Sequence, residues 1–142
     1  MAMSFPVLVL LGLAAWTLLI LLGCIGIYRW SWILSGRASI GEWRADVPQG
    51  SDWYQRAMRA HMNCVENLPV YTALVVALMA TGLQGFWIDR LCIGILLSRV
   101  GQSMVHILLP PTNTNAGLRF VFFVLQVVSM LSIGVTIVTH AV

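Results

Sequence analysis

Four long apolar stretches dominate the sequence, near residues 5–28, 57–81, 86–109 and 117–140. Each is close to the ~20 residues that an α-helix needs to cross the hydrocarbon core of a bilayer. Transmembrane β-strands would be about half as long and would alternate between apolar and polar side chains, which these stretches do not. The sequence therefore predicts an all-α fold, a transmembrane four-helix bundle that forms a single domain over residues 1–142.

The composition supports a membrane protein and excludes several other classes. The chain is 59% hydrophobic and 9% charged, and its mean hydropathy is +0.87, whereas soluble domains average about 25% charged residues. The basic residues are scattered arginines, so no clustered basic surface is available for nucleic acid. Cys24, Cys64 and Cys92 lie in apolar segments at spacings that suit neither a metal site nor a disulfide framework, and we expect them to be small buried side chains.

Most of the arginines lie in or next to the first and third of the three connections, which predicts the orientation in the membrane. The first connection, roughly residues 28–55, contains Arg29, Arg37 and Arg44, and the third, residues 110–117, begins with two prolines that cannot lie inside a helix. Helices that alternate across a bilayer place both connections on one side, which the positive-inside rule makes cytoplasmic. Both termini are then expected on the opposite side.

Polar side chains line up on one face of the second apolar segment and again on one face of the third. At about 100° per residue, a stripe about 100° wide contains Arg56, Arg59, Asn63, Glu66 and Asn67. The third segment places on a single face Arg99, Gln102, Ser103 and His106. Ionisable groups inside a bilayer cost roughly 2.5–3.5 kcal/mol each on insertion scales. We therefore expect these groups to pair or to bind a ligand.

Glu66 and Arg99 lie at matching depths in their segments. Both come about 14–15 Å below the cytoplasmic boundary at about 1.5 Å per residue, which predicts an opposite-charge pair. With Arg59 and Arg119 near the mouth, the polar groups of three helices would converge on a cavity open to the cytoplasmic half. The surplus of arginine over acid predicts an anionic ligand. For Glu66 and Arg99 alone, a pair that only holds the helices together is the alternative.

The segments that contain these groups resemble those of a known family. Residues 56–69 (RAMRAHMNCVENLP) resemble the second-helix signature of the MAPEG family, membrane-associated proteins in eicosanoid and glutathione metabolism. Residues 98–106 (SRVGQSMVH) resemble its third-helix motif, and residues 36–37 and 45–48 of the first connection also fit. The similarity covers nearly the whole chain. The helix-two motif is specific and the remainder is looser.

The resemblance implies a bacterial-type member whose four-helix protomers assemble as a homotrimer in the lipid bilayer. Glutathione, as cofactor, would bind in a bent form between adjacent subunits near the cytoplasmic side. The implied activity is that of a membrane glutathione transferase or peroxidase, with a hydrophobic small-molecule electrophile arriving from the lipid. We expect a multi-pass protein of the bacterial inner membrane, in which the distribution of arginines places both termini on the non-cytoplasmic side.

The resemblance also implies roles for individual residues. Binding or supporting positions are matched by Arg37, Arg59, Asn63, Glu66 and Arg99, and Gln102 joins them from the helix face of Arg99. Arg119 matches the helix-four arginine that orients or activates the glutathione thiol in some members, because a cation favours the thiolate. Many animal members have Tyr where this chain has His106. His106 is therefore a second catalytic candidate, as a hydrogen-bond donor or a weak base.

Two other functions stay open from the sequence. One is a non-catalytic member of the same fold that binds a lipid or another membrane protein. The other is a small proton-coupled exporter, which needs an isolated carboxylate within the membrane as its switch. Glu66 is the only candidate for that switch, and its arginine neighbours favour an anion site over a cation exporter.

Overall fold

The computed structural model describes residues 3–44 and 47–141, and the regular elements in these ranges are all helices. The first span, Phe5–Leu34, consists of α1 (Phe5–Leu19), a π-helical segment (Ile20–Gly26) and α2 (Ile27–Leu34). After a 3-10 turn (Ile40–Glu42), the remaining spans are α3 (Asp52–Thr81), α4 (Phe86–Leu108) and α5 (Asn113–Ala141). Four helices in the described part are long and apolar enough to cross a membrane. The prediction of an all-helical membrane protein is confirmed.

The helices are longer at their polar ends than hydropathy predicts. The first span continues to Leu34 rather than ending near residue 28, and α5 begins at Asn113 rather than near residue 117. The helix α3 begins at Asp52 rather than near residue 57, because polar groups stabilise its first turn. The hydroxyl of Ser51 accepts a hydrogen bond from the Tyr54 backbone N–H at 3.3 Å, and Asp52 pairs with Arg56 at 3.0 Å. Hydropathy detects only the apolar part of such a helix.

A buried apolar core joins all four spans. It contains Tyr71 and Val75 from α3, Ile95 from α4 and Ile133 from α5, together with residues of α1. The Tyr71 hydroxyl donates to the Pro6 carbonyl at 3.2 Å, which satisfies the only polar atom of this side chain inside the core. Cys64 and Cys92 are buried free thiols and Cys24 is partly buried. The predicted role of the first two as small buried side chains is confirmed.

The first connection folds back onto the ends of α2 and α3 through an aromatic cluster. The rings of Tyr28 and Tyr54 stack with centroids 4.5 Å apart, and Trp43 meets the Tyr28 ring edge-on at 5.9 Å. The Ser51 backbone N–H donates to the Tyr28 hydroxyl at 3.0 Å. Gly50, at φ +76°, passes so close that an added Cβ would lie 2.7 Å from Tyr54. These contacts hold the connection against the bundle beside the candidate site.

Replacement of Gly50 tests whether this backbone approach matters for stability. Gly50→Ala should lower the free energy of unfolding by about 1–2 kcal/mol, because left-handed backbone costs L-residues that much and the methyl group would meet Tyr54. Gly41→Ala lies in the same connection and meets nothing within 4 Å, so it should be close to neutral. Thermal unfolding in detergent, with amide hydrogen exchange of the connection, measures both. Equal losses in the two variants would contradict the proposed packing.

Candidate functional site

A cavity of about 520 Å³ opens between the first connection, α3 and α4. The described residues that line it are Arg44, Val47, Pro48, Gln49, Tyr54, Gln55, Met58, Arg59, Met62, Asn63 and His106. Arg59, Asn63 and His106 are among the residues that the sequence places on the polar faces of two helices. The described lining contains two arginines and no carboxylate. This arrangement favours an anion.

Arg119 of α5 contacts His106 of α4 directly. The Arg119 Nη1 atom lies 3.0 Å from His106 Nδ1. A guanidinium can only donate hydrogen bonds, so Nδ1 is the acceptor and the imidazole is neutral with its proton on Nε2. From the sequence, Arg119 and His106 are alternative candidates for activating the thiol. In the structure the two side chains are in direct contact, and we refer to them as the Arg119–His106 unit. His106 lines the cavity, and Nε2–H is the donor that it can offer to a ligand there.

Arg99 is 2% exposed and is held by amide groups. It donates to Gln102 Oε1 at 2.6 Å and to Gln126 Oε1 at 2.5 Å. Gln102 Nε2 in turn donates to the Arg119 carbonyl at 3.3 Å. Two successive hydrogen bonds therefore connect the buried Arg99 guanidinium to the Arg119–His106 unit. Gln102 is the residue that bridges them.

Gln126 is not among the site residues that the sequence predicts, although its side chain is only 1% exposed. It lies in the middle of the apolar run of α5, with no other charged or amide side chain between Arg119 and His140. A single amide in a membrane-length apolar segment is a signal in itself, because such groups cost free energy unless they have partners. Gln126 Nε2 and Arg99 Nε are both buried without a hydrogen-bond partner among the described residues.

The predicted pair between Glu66 and Arg99 is wrong for this chain. Arg99 points its guanidinium toward α5, while Glu66 is exposed on the surface of α3 and lies in coulombic range rather than in contact. Matching depth fixes the height of two residues along a bundle but not the direction around its axis. Arg56 of the same stripe pairs with Asp52, and Asn67 donates to the Asn63 carbonyl at 2.7 Å within its own helix.

Arg37 lies apart from the other expected binding residues. It lines a neighbouring cavity of about 550 Å³, and Gln49 is common to the walls of both cavities. Arg37 therefore does not converge with Arg59 and Asn63 within one chain. Ala45 and Asp46, which belong to the motif of the first connection, lie outside the described residues.

Two substitutions at Gln126 test the amide network, by which we mean the hydrogen bonds from Arg99 to Gln102 and Gln126. Gln126→Leu leaves a buried guanidinium N–H without an acceptor and should lower the free energy of unfolding by about 1–3 kcal/mol. Gln126→Glu keeps an acceptor, supplies a counter-charge to Arg99 and removes the unpartnered Nε2, so stability should be retained or raised. Chemical denaturation in detergent measures both changes. A Gln126→Leu protein as stable as the parent would contradict the network.

Double-mutant cycles distinguish the two partners considered for Arg99. The Arg99→Met and Gln126→Leu substitutions should show a coupling energy of about 1–3 kcal/mol, because the residues share a hydrogen bond. Arg99→Met and Glu66→Gln should be nearly additive, because these residues do not touch. Larger coupling in the second cycle would restore the pair that the sequence predicts.

The chain matches a known protein family along most of its length. A model of the MAPEG family matches residues 5–139. No curated protein and no solved structure matches the chain. The matched region covers nearly the whole sequence, including the first three spans, nearly all of the fourth, and every residue of the cavity and the amide network. The chain therefore belongs to the MAPEG family, which includes glutathione transferases and peroxidases.

Proposed function

We propose that this integral membrane protein is a glutathione transferase or glutathione-dependent peroxidase that acts on apolar electrophiles from the lipid. The observation that carries the proposal is the cavity at Arg59, Asn63 and His106, with Arg119 directly behind His106. Family membership supports glutathione, and the cationic lining supports a ligand that bears carboxylates.

The charges of glutathione match the residues near the cavity. Its two carboxylates would be held by Arg59 and neighbouring donors, and Asn63 offers both an amide donor and an acceptor. Its ammonium group requires an anion, for which Glu66 is the candidate. Arg99 and Gln102 would act as supporting residues, because Gln102, which accepts from Arg99, holds the backbone of Arg119 in place, and neither residue lines the cavity.

A homotrimer would complete this site. Arg59 and Glu66 are exposed on α3 although both lie in a membrane-length helix. Charges that face lipid cost a few kcal/mol each, so a neighbouring subunit that covers them would remove a real penalty. We propose that glutathione lies between two subunits, with Arg37 approaching it from the adjacent one, since Arg37 faces a different cavity within its own chain.

The chemistry assigned to the chain is stabilisation of a thiolate. Glutathione supplies the thiol, which loses its proton to water. The thiolate sulfur then bonds to the electrophilic carbon while the leaving group departs with its electron pair. Arg119 fixes the His106 tautomer, and His106 Nε2–H can donate to the sulfur. The positive charge of Arg119 adds a coulombic term that favours the thiolate over the neutral thiol.

The orientation follows from the distribution of arginines along the chain. We propose that the first and third connections face the cytoplasm of a bacterial cell, with both termini on the other side of the inner membrane. The cavity opens beside the first connection, so cytosolic glutathione would reach it directly.

Glutathione should stabilise the purified protein. A ligand present at 100 times its dissociation constant raises the free energy of unfolding by about 2.7 kcal/mol. Thermal unfolding in detergent would detect this change. Arg59→Gln should weaken binding about 10- to 100-fold, since a charge-assisted hydrogen bond contributes ~1.5–3 kcal/mol. Arg90→Gln is the matched control, because Arg90 stacks on Phe86 at the opposite end of α4. An unfolding temperature that does not change at millimolar glutathione would contradict the assignment of glutathione as the ligand.

The ultraviolet absorbance of bound thiolate tests the Arg119–His106 unit. Arg119→Ala and His106→Phe should both abolish the absorbance, whereas His106→Gln should keep part of it, because the glutamine amide can replace Nε2–H. Loss in Arg119→Ala alone would assign activation to the arginine charge without the imidazole. Undiminished absorbance and unchanged conjugation rates in all three variants would contradict thiol activation in this cavity.

A further inference from the structure

A second cavity, of about 550 Å³, lies where the first span meets the first connection. Three aromatic side chains contribute to its walls, Tyr28 and Trp32 from α2 and Trp43 from the connection. Two side chains of opposite charge, Arg37 and Glu42, also line it. The thiol chemistry proposed for the neighbouring cavity uses none of the three aromatic rings and does not use Glu42.

The cavity is built from fixed parts. Tyr28 stacks on Tyr54, its ring lies 5.8 Å from that of Trp32, and its hydroxyl accepts the Ser51 N–H at 3.0 Å. Gly50 packs against the same ring, where an added Cβ would lie 3.1 Å from Tyr28 Cε1. These contacts orient the aromatic walls before any ligand arrives, which lowers the entropic cost of binding.

The charges of the lining favour a zwitterion. Aromatic faces together with a carboxylate attract an ammonium group, and a guanidinium attracts a phosphate. Arg29 does not line the cavity, because its guanidinium stacks on Trp43 and Tyr54 and donates to the Tyr54 hydroxyl. Arg37 and Glu42 are therefore the charged residues that would meet a ligand here.

The surroundings of the cavity place it at the lipid boundary. The first membrane-length helix ends at Leu34, which is 80% exposed, and Ile40 in the following turn is 71% exposed. Trp32 itself is 38% exposed, so one wall of the cavity is continuous with this apolar surface. Exposed Trp and aliphatic side chains at a helix end are typical of the headgroup region. A headgroup could enter the cavity while its acyl chains stay along the apolar surface.

We propose that this cavity binds the headgroup of a zwitterionic phospholipid. The ammonium group lies against Trp32 and Tyr28 near Glu42, and the phosphate faces Arg37. The site adjoins the proposed glutathione cavity at Gln49, and the two proposals share Arg37. Because the proposed function also gives Arg37 a part, the test leaves Arg37 unchanged.

Native mass spectrometry of the full-length protein released from detergent tests the proposal. The probes are phosphatidylethanolamine and phosphatidylglycerol with identical acyl chains, so that only the headgroup differs. The parent protein should retain phosphatidylethanolamine in preference. Trp32→Leu and Glu42→Gln should each reduce its retention about threefold or more, from the loss of a cation–π contact or a charge partner. Trp30→Leu is the matched control, because Trp30 is 56% exposed on the same helix and does not line the cavity.

Two outcomes would overturn the proposal. They are equal retention of the two lipids, and equal loss of retention in Trp30→Leu and Trp32→Leu. Glu42 is exposed, and its described hydrogen bonds are to Ser39 alone, so the Glu42→Gln protein should fold normally. This variant keeps the test valid if the Trp32→Leu protein fails to fold. Glutathione-induced stabilisation, measured on the same variants, separates failure of this site from failure of the proposed function.

Discussion

A buried guanidinium in a membrane-length helix needs hydrogen-bond partners, and this need determines how the polar side chains of the structure are arranged. Arg99 is almost fully buried, and an isolated cation in such a place would be strongly unfavourable. The chain meets the requirement with amide oxygens from Gln102 and Gln126 rather than with a carboxylate. The positive charge is thus hydrogen-bonded but not neutralised, and it raises the electrostatic potential of the whole site.

The same network fixes the groups that face the cavity. Gln102 links Arg99 to the backbone of Arg119, and Arg119 donates to His106. The hydrogen bonds from Gln102 to Arg119 and from Arg119 to His106 each join α4 to α5, so the separation and rotation of these two helices determine where His106 points. The apolar core around Tyr71, Ile95 and Ile133 holds the spans together along the rest of their length. Stability and site geometry are therefore largely supplied by different parts of the bundle.

Part of this arrangement follows from the sequence because it depends on local periodicity. The helical repeat places Arg59 and Asn63 on one face of α3, and the structure brings that face to the same cavity as His106. Apolar length alone predicts four spans, although it misses the polar first turn of α3.

The remaining features depend on rotation around the bundle, which no single helix encodes. Depth counting pairs Glu66 with Arg99, but Arg99 turns toward α5 and Gln126. Arg37 shares the first connection with Arg44, yet it lines the aromatic cavity and Arg44 lines the other. The fold of that connection depends on the contacts of Tyr28, Tyr54 and Gly50, whose significance emerges only once they are packed together.

An experimental structure of the protein saturated with glutathione tests the central claim most directly. We predict density for one glutathione at each cavity, with a carboxylate at Arg59, the sulfur within hydrogen-bonding distance of His106 Nε2, and the contact between Arg119 and His106 Nδ1 retained. Glutathione bound away from these three side chains, or an empty cavity at saturating ligand, would contradict the claim that their convergence forms a thiol-activating site.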